Sequence, residues 1–461
     1  MRYDTIIIGA GPAGLAAGIR MAMYGGKTLI LERHSRVGGL NSWYMAGGYY
    51  MDSGLHAITN YAPDGPASAP IKKLLRQLRL RMEDLKLCPQ RTSRISFPGA
   101  SLAFSNDFDL LTQSVNQVFP YQKDNFQKLA GLVRNTDPTL PGWSPRSGRK
   151  AVRAIVTDHL LEDMLFLPLM YYGCPDEEDM EFGQFVIMFK SIFLEGLARP
   201  EGGIKILLDL LTAAYAKAGG ELRLETGVSG IKVDNGRVAG VVTGGGEQIE
   251  CSRVLSSIGY PETVAICPKA AVGGSAPAPG EMSFMETALV LDKSPDDLGE
   301  HDSIIFYNNK PSFNYRRPEA PVDITSGVIC FPGNFSYAKR FEPPMVRITN
   351  LANHWYWSRF VDEGEYHEAK AHWSGESLRN LSSVTGDFSG NVIFSDVFTP
   401  RTIRRYTGRM NGAVYGSPLK LRDGVMAIDG LYLCGTDQGF LGVTGALLSG
   451  ITVANSRLVE V

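Results

Sequence analysis

Gly9-Ala10-Gly11-Pro12-Ala13-Gly14 and, further on, Glu32 are the first residues whose types and spacing could do chemistry. The glycines follow Thr5-Ile6-Ile7-Ile8 and open a helical run from Leu15 to Tyr24 that stops at Gly25-Gly26. In that setting GxGxxG has a mechanical meaning. Gly9 permits a tight turn, Gly11 leaves no side chain between the backbone and a pyrophosphate, and Gly14 lets the helix lie close on the strand. The free N–H groups of the first helical turn, beginning at Ala13 because Pro12 has none, and the helix dipole attract an anion. Lys27 to Glu32 reads as a second strand, closed by Glu32 where a carboxylate takes both hydroxyls of an adenosine ribose. The set predicts a dinucleotide site. A glycine-rich turn in an ordinary α/β domain would leave Glu32 unexplained.

Two elements must hold these groups: a parallel sheet whose strands are buried on both faces, hence continuously apolar, and a helix laid against it. The chain beyond Glu32 narrows the ligand. Arg33-His34-Ser35-Arg36-Val37-Gly38-Gly39-Leu40 places a second diglycine directly after the acid. This resembles the flavin amine oxidase and phytoene desaturase superfamily, and the resemblance implies FAD, with Gly38 and Gly39 along the pyrophosphate. Leu40 stands where many members carry Arg, a departure on the amine oxidase side.

Tyr49 to His56 contains Asp52-Ser53-Gly54-Leu55-His56, which is similar to the DxGxH stretch of the phytoene desaturase, carotenoid isomerase and retinol saturase group. The resemblance implies that Asp52, Gly54, Leu55 and His56 pass the flavin. Strand alternation would put Asp52, Gly54 and His56 on one side. His56 is then a candidate catalytic group able to move a proton near neutral pH; the alternative is a histidine that merely holds the strand. Pro200-Glu201-Gly202-Gly203 resembles the P-x-G-G signature of the same group. The resemblance also implies that the Val228 backbone holds the adenine. The final stretch, Gly435-Thr436-Asp437 and then Gly442-Val443-Thr444, looks like the terminal block of the carotenoid desaturases and isomerases. There the family implies an acid at Asp437 contacting the phosphate–ribityl region and a helix N-terminus aimed at the flavin.

Composition excludes several classes. The 461 residues suffice for two or three domains, 44% of them are hydrophobic, and the net charge of −2 attracts no nucleic acid. The six cysteines are scattered without a CxxC pair, and the seven histidines show no metal-ligand spacing. The apolar N-terminus reads as strand and nucleotide helix rather than a signal peptide, and no run reaches the length of a membrane span.

The expected fold is α/β: a Rossmann-like FAD-binding domain of the amine-oxidase type, discontinuous over residues 1–57, 199–265 and 425–461. A substrate domain of mixed sheet and helices takes residues 58–198 and 266–424. Ile71 to Arg81 reads as a basic amphipathic helix, either packed on the domain or touching an anionic membrane. Arg146, Arg149, Lys150 and Arg153 form a second basic cluster. The Met- and Phe-rich stretches from His159 to Gly173 and from Phe182 to Leu197 suit either plain core helices or the wall of a greasy tunnel. The resemblance thus implies an FAD oxidoreductase acting on an extended isoprenoid or polyene by desaturation, saturation or isomerisation; the two basic clusters beside apolar helices add the expectation of a cytoplasmic protein peripheral to a membrane. The alternatives are a flavin amine oxidase with a small substrate and a non-catalytic lipid escort similar to the Rab GDP-dissociation inhibitors.

Overall fold

The computed structural model describes residues 2–54, 56–63, 69–140 and 142–459. Strand β1 (Arg2–Ile8) leads through Gly11 into helix α1 (Pro12–Met23) and strand β2 (Thr28–Leu31). A hairpin follows, β3 (Trp43–Ala46) and β4 (Tyr49–Asp52), then β5 (Ile58–Thr59), helix α2 (Pro70–Gln77) and strands β6 (Leu87–Pro89), β7 (Ser93–Phe97) and β8 (Ala100–Phe104). Five helices come next: α3 (Phe108–Val118), α4 (Lys123–Asn135), α5 (Gly148–Arg153), α6 (His159–Gly173) and α7 (Phe182–Phe189). Strand β9 (Leu197–Pro200) and helix α8 (Ile204–Lys217) precede β10 (Glu221–Arg223), β11 (Val228–Asp234), β12 (Arg237–Thr243), β13 (Gln248–Ser256) and helix α9 (Tyr260–Ile266). The remainder comprises β14 (Phe284–Leu291), β15 (Ile304–Asn308), β16 (Ser326–Cys330), β17 (Met345–Leu351), α10 (His354–Ser358), α11 (Glu363–Leu381), β18 (Val392–Phe398), α12 (Pro400–Thr407), β19 (Leu431–Leu433) and α13 (Gly442–Val453).

The first sheet runs β10-β2-β1-β13-β12-β11, with β19 also pairing β13. β10, β2, β1, β13 and β19 are parallel, and β11 and β12 are an antiparallel flap. Both faces of its centre are covered. Ile7, Ile30 and Leu255 meet α1, α8 and α13, while Ile6, Leu29 and Val254 face the α9 side. That double burial is why these strands read as unbroken apolar runs. α13 lies against α1 so closely that a side chain at Gly450 would strike the Ala13 carbonyl.

The second sheet runs β18-β14-β17-β16-β15-β7-β8 and is also buried on both faces. Alternation along β14 sorts them: Phe284 joins the large cluster containing α6 and α7, whereas Met285 and Leu289 face α11. The tunnel expectation fails at α6 and α7. Their aromatic rings interlock, with Phe166 and Phe185 centroids 4.9 Å apart and Phe189 and Phe193 5.1 Å apart. In the second basic cluster Arg146, Lys150 and Arg153 are exposed, while Arg149 is turned into the packing. Arg149 reaches Glu162 and Asp163 at 2.8 and 2.9 Å, Arg153 reaches Glu162 at 2.7 Å, and Arg146 stacks on Trp143 and Phe182. α2 buries Ile71, Leu74 and Leu75 against the first unit, and its helix ends at Gln77 because Arg79 takes φ of +58°. All six cysteines are free and buried.

Candidate functional site

A cavity of about 880 Å³ opens between the C-terminal ends of the parallel strands and the second sheet. Its floor is backbone. Gly9, Gly11, Pro12 and Ala13 line it from the β1–α1 turn, and Gly38, Gly39 and Leu40 line it from the loop after β2. The loops are tied together where the Gly38 N–H donates to the Ala10 carbonyl at 2.9 Å. A Cβ built on Gly11 would find nothing nearer than the Gly38 oxygen at 3.9 Å, so a side chain there would occupy the cavity itself. No side chain caps α1, and its first-turn N–H groups remain available at this floor. Gly14 does not reach the cavity. Its added Cβ would collide with the Gly9 carbonyl, which is the close helix–strand approach its spacing predicts.

Glu32 stands at one end. Its carboxylate accepts from the Ala10 N–H at 2.7 Å and the His34 N–H at 2.8 Å. Each oxygen keeps a lone pair, so two backbone donors fix the acid while leaving it able to accept from two sugar hydroxyls. Arg33, Gly227 and Val228 line the same end, and Gly54 and Gly435 line the wall elsewhere. A backbone floor without side chains, an uncapped helix start and a held carboxylate fit an adenine dinucleotide with its pyrophosphate on the floor. Arg36, Arg401 and Arg409 add positive charge to the lining.

Several expected residues are placed elsewhere. Asp437 is fully buried and committed: it accepts from the Tyr260 N–H at 2.6 Å and the Ser417 N–H at 2.8 Å, with Arg409 at 3.4 Å and Lys420 at 3.5 Å. It knits the loop after β19 to the surrounding chain and does not line the cavity. Its neighbour Thr436 does, and the Thr436 hydroxyl accepts from Arg409 Nη2 at 2.6 Å. Asp52 is likewise turned inward. It pairs with Arg199 at 2.6 Å and accepts from the Ile204 N–H at 2.9 Å, which caps α8. Gly442, Val443 and Thr444 begin α13; Val443 is core, Thr444 donates to the Thr59 carbonyl, and the helix meets the cavity at Ala446. Leu55 lies outside the described residues.

His56 does not follow the expected strand alternation, because β4 stops at Asp52 and the chain turns at Gly54 with φ of +71°. Its Nε2 sits 2.9 Å from the Thr349 hydroxyl, which itself donates to Glu286 at 3.0 Å. That direction makes Nε2 the donor and leaves Nδ1 a bare acceptor, buried without a partner. Burial, with Arg347 and Arg199 nearby, holds the imidazole well below the ordinary histidine value, so the ring is neutral. This corrects the expectation of a proton carrier near neutral pH at the flavin face: the neutral ring donates at Nε2, keeps an open acceptor at Nδ1 and does not line the cavity.

Sequence reasoning gave no role to Thr436, Ser257, Tyr44, Tyr366 or the α12 residues Arg401 and Arg405, all of which line the cavity. Thr436 was legible in principle as the residue after the strand-ending Gly435. Arg401 and Arg405 stand in a stretch that resembles the pre-terminal block of the carotenoid desaturases and isomerases, whereas the α11 contribution, Tyr366, comes from folding a distant segment onto the site and left no local signal.

Residues 12–274 match the flavin containing amine oxidoreductase family. The chain is 22% identical to the all-trans-retinol 13,14-reductase of Danio rerio, over 99% of this chain and 86% of that one. It is 21% identical to the chloroplastic prolycopene isomerase of Daucus carota, over 98% and 79% of the two chains. A neurosporene-forming phytoene desaturase from Rhodobacter capsulatus is 25% identical over 55% of this chain and 52% of its own. Among solved structures, an oxidoreductase from Methanosarcina mazei superposes with a TM-score of 0.68 at 16% identity, covering 99% of this chain and 100% of that one. These structural likenesses speak for the fold.

Proposed function

Because this chain belongs to the flavin containing amine oxidoreductase family and its cofactor is FAD, we propose that it is an oxidoreductase moving hydride between the flavin and an extended polyene or isoprenoid lipid. The observation that carries the reading is end-to-end similarity to polyene enzymes in a chain with a backbone-floored cavity ending on Glu32. In this reading the cofactor unit comprises residues 1–57, 199–265 and 425–461. Glu32 holds the ribose, Gly11, Gly38 and Gly39 admit the pyrophosphate, and Gly227 and Val228 face the adenine. Gly435 and Thr436 take the part that the family resemblance gave to Asp437. When bound, FAD supplies hydride acceptance or donation at its N5. The chain contributes orientation, through the backbone floor and the held Glu32 carboxylate, and positive charge from Arg36, Arg401 and Arg409.

Anaerobic photoreduction followed by mixing tests this. Reduced or oxidised enzyme should exchange electrons with polyenes such as all-trans-retinol or a cis-carotene, read as recovery or bleaching of flavin absorbance. Bleaching by small amines with no response to any polyene would favour the amine oxidase alternative. A purified protein without flavin colour would favour the escort.

We further infer that lipid arrives at a membrane surface touched by α2, where Lys73, Arg76 and Arg79 are exposed. Among the described residues no helix is long and apolar enough to cross a membrane. Flotation with anionic vesicles should be lost at high salt; sedimentation without vesicles at low salt would contradict the contact.

A further inference from the structure

Beside the main cavity, between the edge of the second sheet and α11, lies a crevice of about 380 Å³. The two spaces share Lys370, Asp396 and Val397 in their walls, so they lie side by side along one wall. Thr287, on the α11 side of β14, lines the crevice. It is 1% exposed, and its hydroxyl has no hydrogen-bond partner. Buried hydroxyls are ordinarily satisfied, and one left open beside a crevice takes its partner from the crevice, a solvent or a ligand atom. A second, independent feature is Gly375, in the middle of α11. Glycine inside a helix is unfavourable relative to alanine. A Cβ there would meet only Arg379 Nη1, at 3.8 Å, so the missing side chain leaves room rather than relieving a clash.

We propose that this crevice is a subsite for the oxygenated end of the substrate, an alcohol carried on an apolar chain or ring. The inference rests on the polyene reading of the main cavity and names the class of polyene. The donor set selects a neutral hydroxyl. Lys370 and Asp396 put one charge of each sign on the shared wall, so a carboxylate would face Asp396 and an ammonium would face Lys370. A hydroxyl both donates and accepts; Thr287 offers an open hydroxyl, and Ser374, whose own proton goes to the Ala371 carbonyl, keeps acceptor capacity. Leu289, Leu378 and Val392 supply the apolar wall for the carbon adjoining it.

The test compares all-trans-retinol with the corresponding hydrocarbon lacking its hydroxyl, titrated into oxidised holoenzyme and followed by tryptophan fluorescence. The wild type should bind the alcohol about tenfold more tightly, the effect of one satisfied hydrogen bond. Thr287→Val should abolish that preference and leave hydrocarbon affinity and flavin content unchanged. Its melting temperature should hold or rise, because the hydroxyl removed has no partner. Gly375→Leu, which fills the crevice, should weaken binding of the alcohol. Failure of the alcohol to bind, equal affinities in the wild type, or a preference that survives Thr287→Val with flavin in place would overturn the subsite. Absence of flavin from the wild type would instead overturn the functional reading beneath it.

Discussion

Glu32 follows β2 and Asp437 follows β19, two parallel strands of the same sheet, yet their carboxylates do different work. Glu32 meets only two backbone donors and faces a cavity. Asp437 is fully buried, meets two backbone donors as well, and has two cations beside it. The difference is not the acid or its place at a strand end but the number of partners the surrounding chain has already supplied. An acid with capacity left over and a cavity in front of it can bind; an acid saturated by its own chain holds the chain together.

Removing each acid separates the two roles. Asp437→Asn leaves Arg409 and Lys420 buried beside a neutral group and should destabilise the fold by about 3–5 kcal/mol, measured by urea unfolding. A loss below 1 kcal/mol would erase the contrast. His56 sharpens it with pH. Its value is lowered by folding, so the unfolded chain takes up a proton that the folded ring refuses. The neutral ring's contribution is present above the ordinary histidine pKa of about 6.5 and is lost as pH falls below it, by about 1.4 kcal/mol per unit, until the lowered folded value is reached. The stability difference between wild type and His56→Gln should therefore move against the wild type by about 1 kcal/mol between pH 7 and pH 5.5; a constant difference would show an imidazole that titrates normally. The smallest effect concerns Glu162, 1% exposed and held by two arginines. Arg153→Ala removes the half-exposed one and should cost about 1 kcal/mol or less, whereas Arg149→Ala should cost more. The reverse order would mean that Arg149 is not the principal partner.

The cofactor floor was legible in the sequence because local rules fix it. Gly9 to Gly14, Glu32 and Gly38-Gly39 lie within one strand–helix–strand unit, where a glycine's missing side chain and a strand-end acid have direct consequences. His56 and Asp437 were not legible. Their roles depend on Thr349, Glu286, Tyr260 and Arg409, hundreds of residues away or in other elements, and only the packed chain shows that the donors are already in place. Composition left core and tunnel both open at α6 and α7, because Met and Phe that line a tunnel and Met and Phe that fill a core are the same residues until their neighbours are known. The ion pairs of Arg149 and Arg153 were not legible for the same reason: Glu162 is close in sequence, but its burial is not written there.

The most direct measurement is titration of FAD into the apo-protein, wild type against Glu32→Ala. A carboxylate bonded to the ribose contributes roughly 1.5–3 kcal/mol, so the variant should bind FAD about tenfold to a hundredfold more weakly while remaining folded. Equal affinity in the two proteins would contradict the account, since Glu32 would then be only a brace between Ala10 and His34.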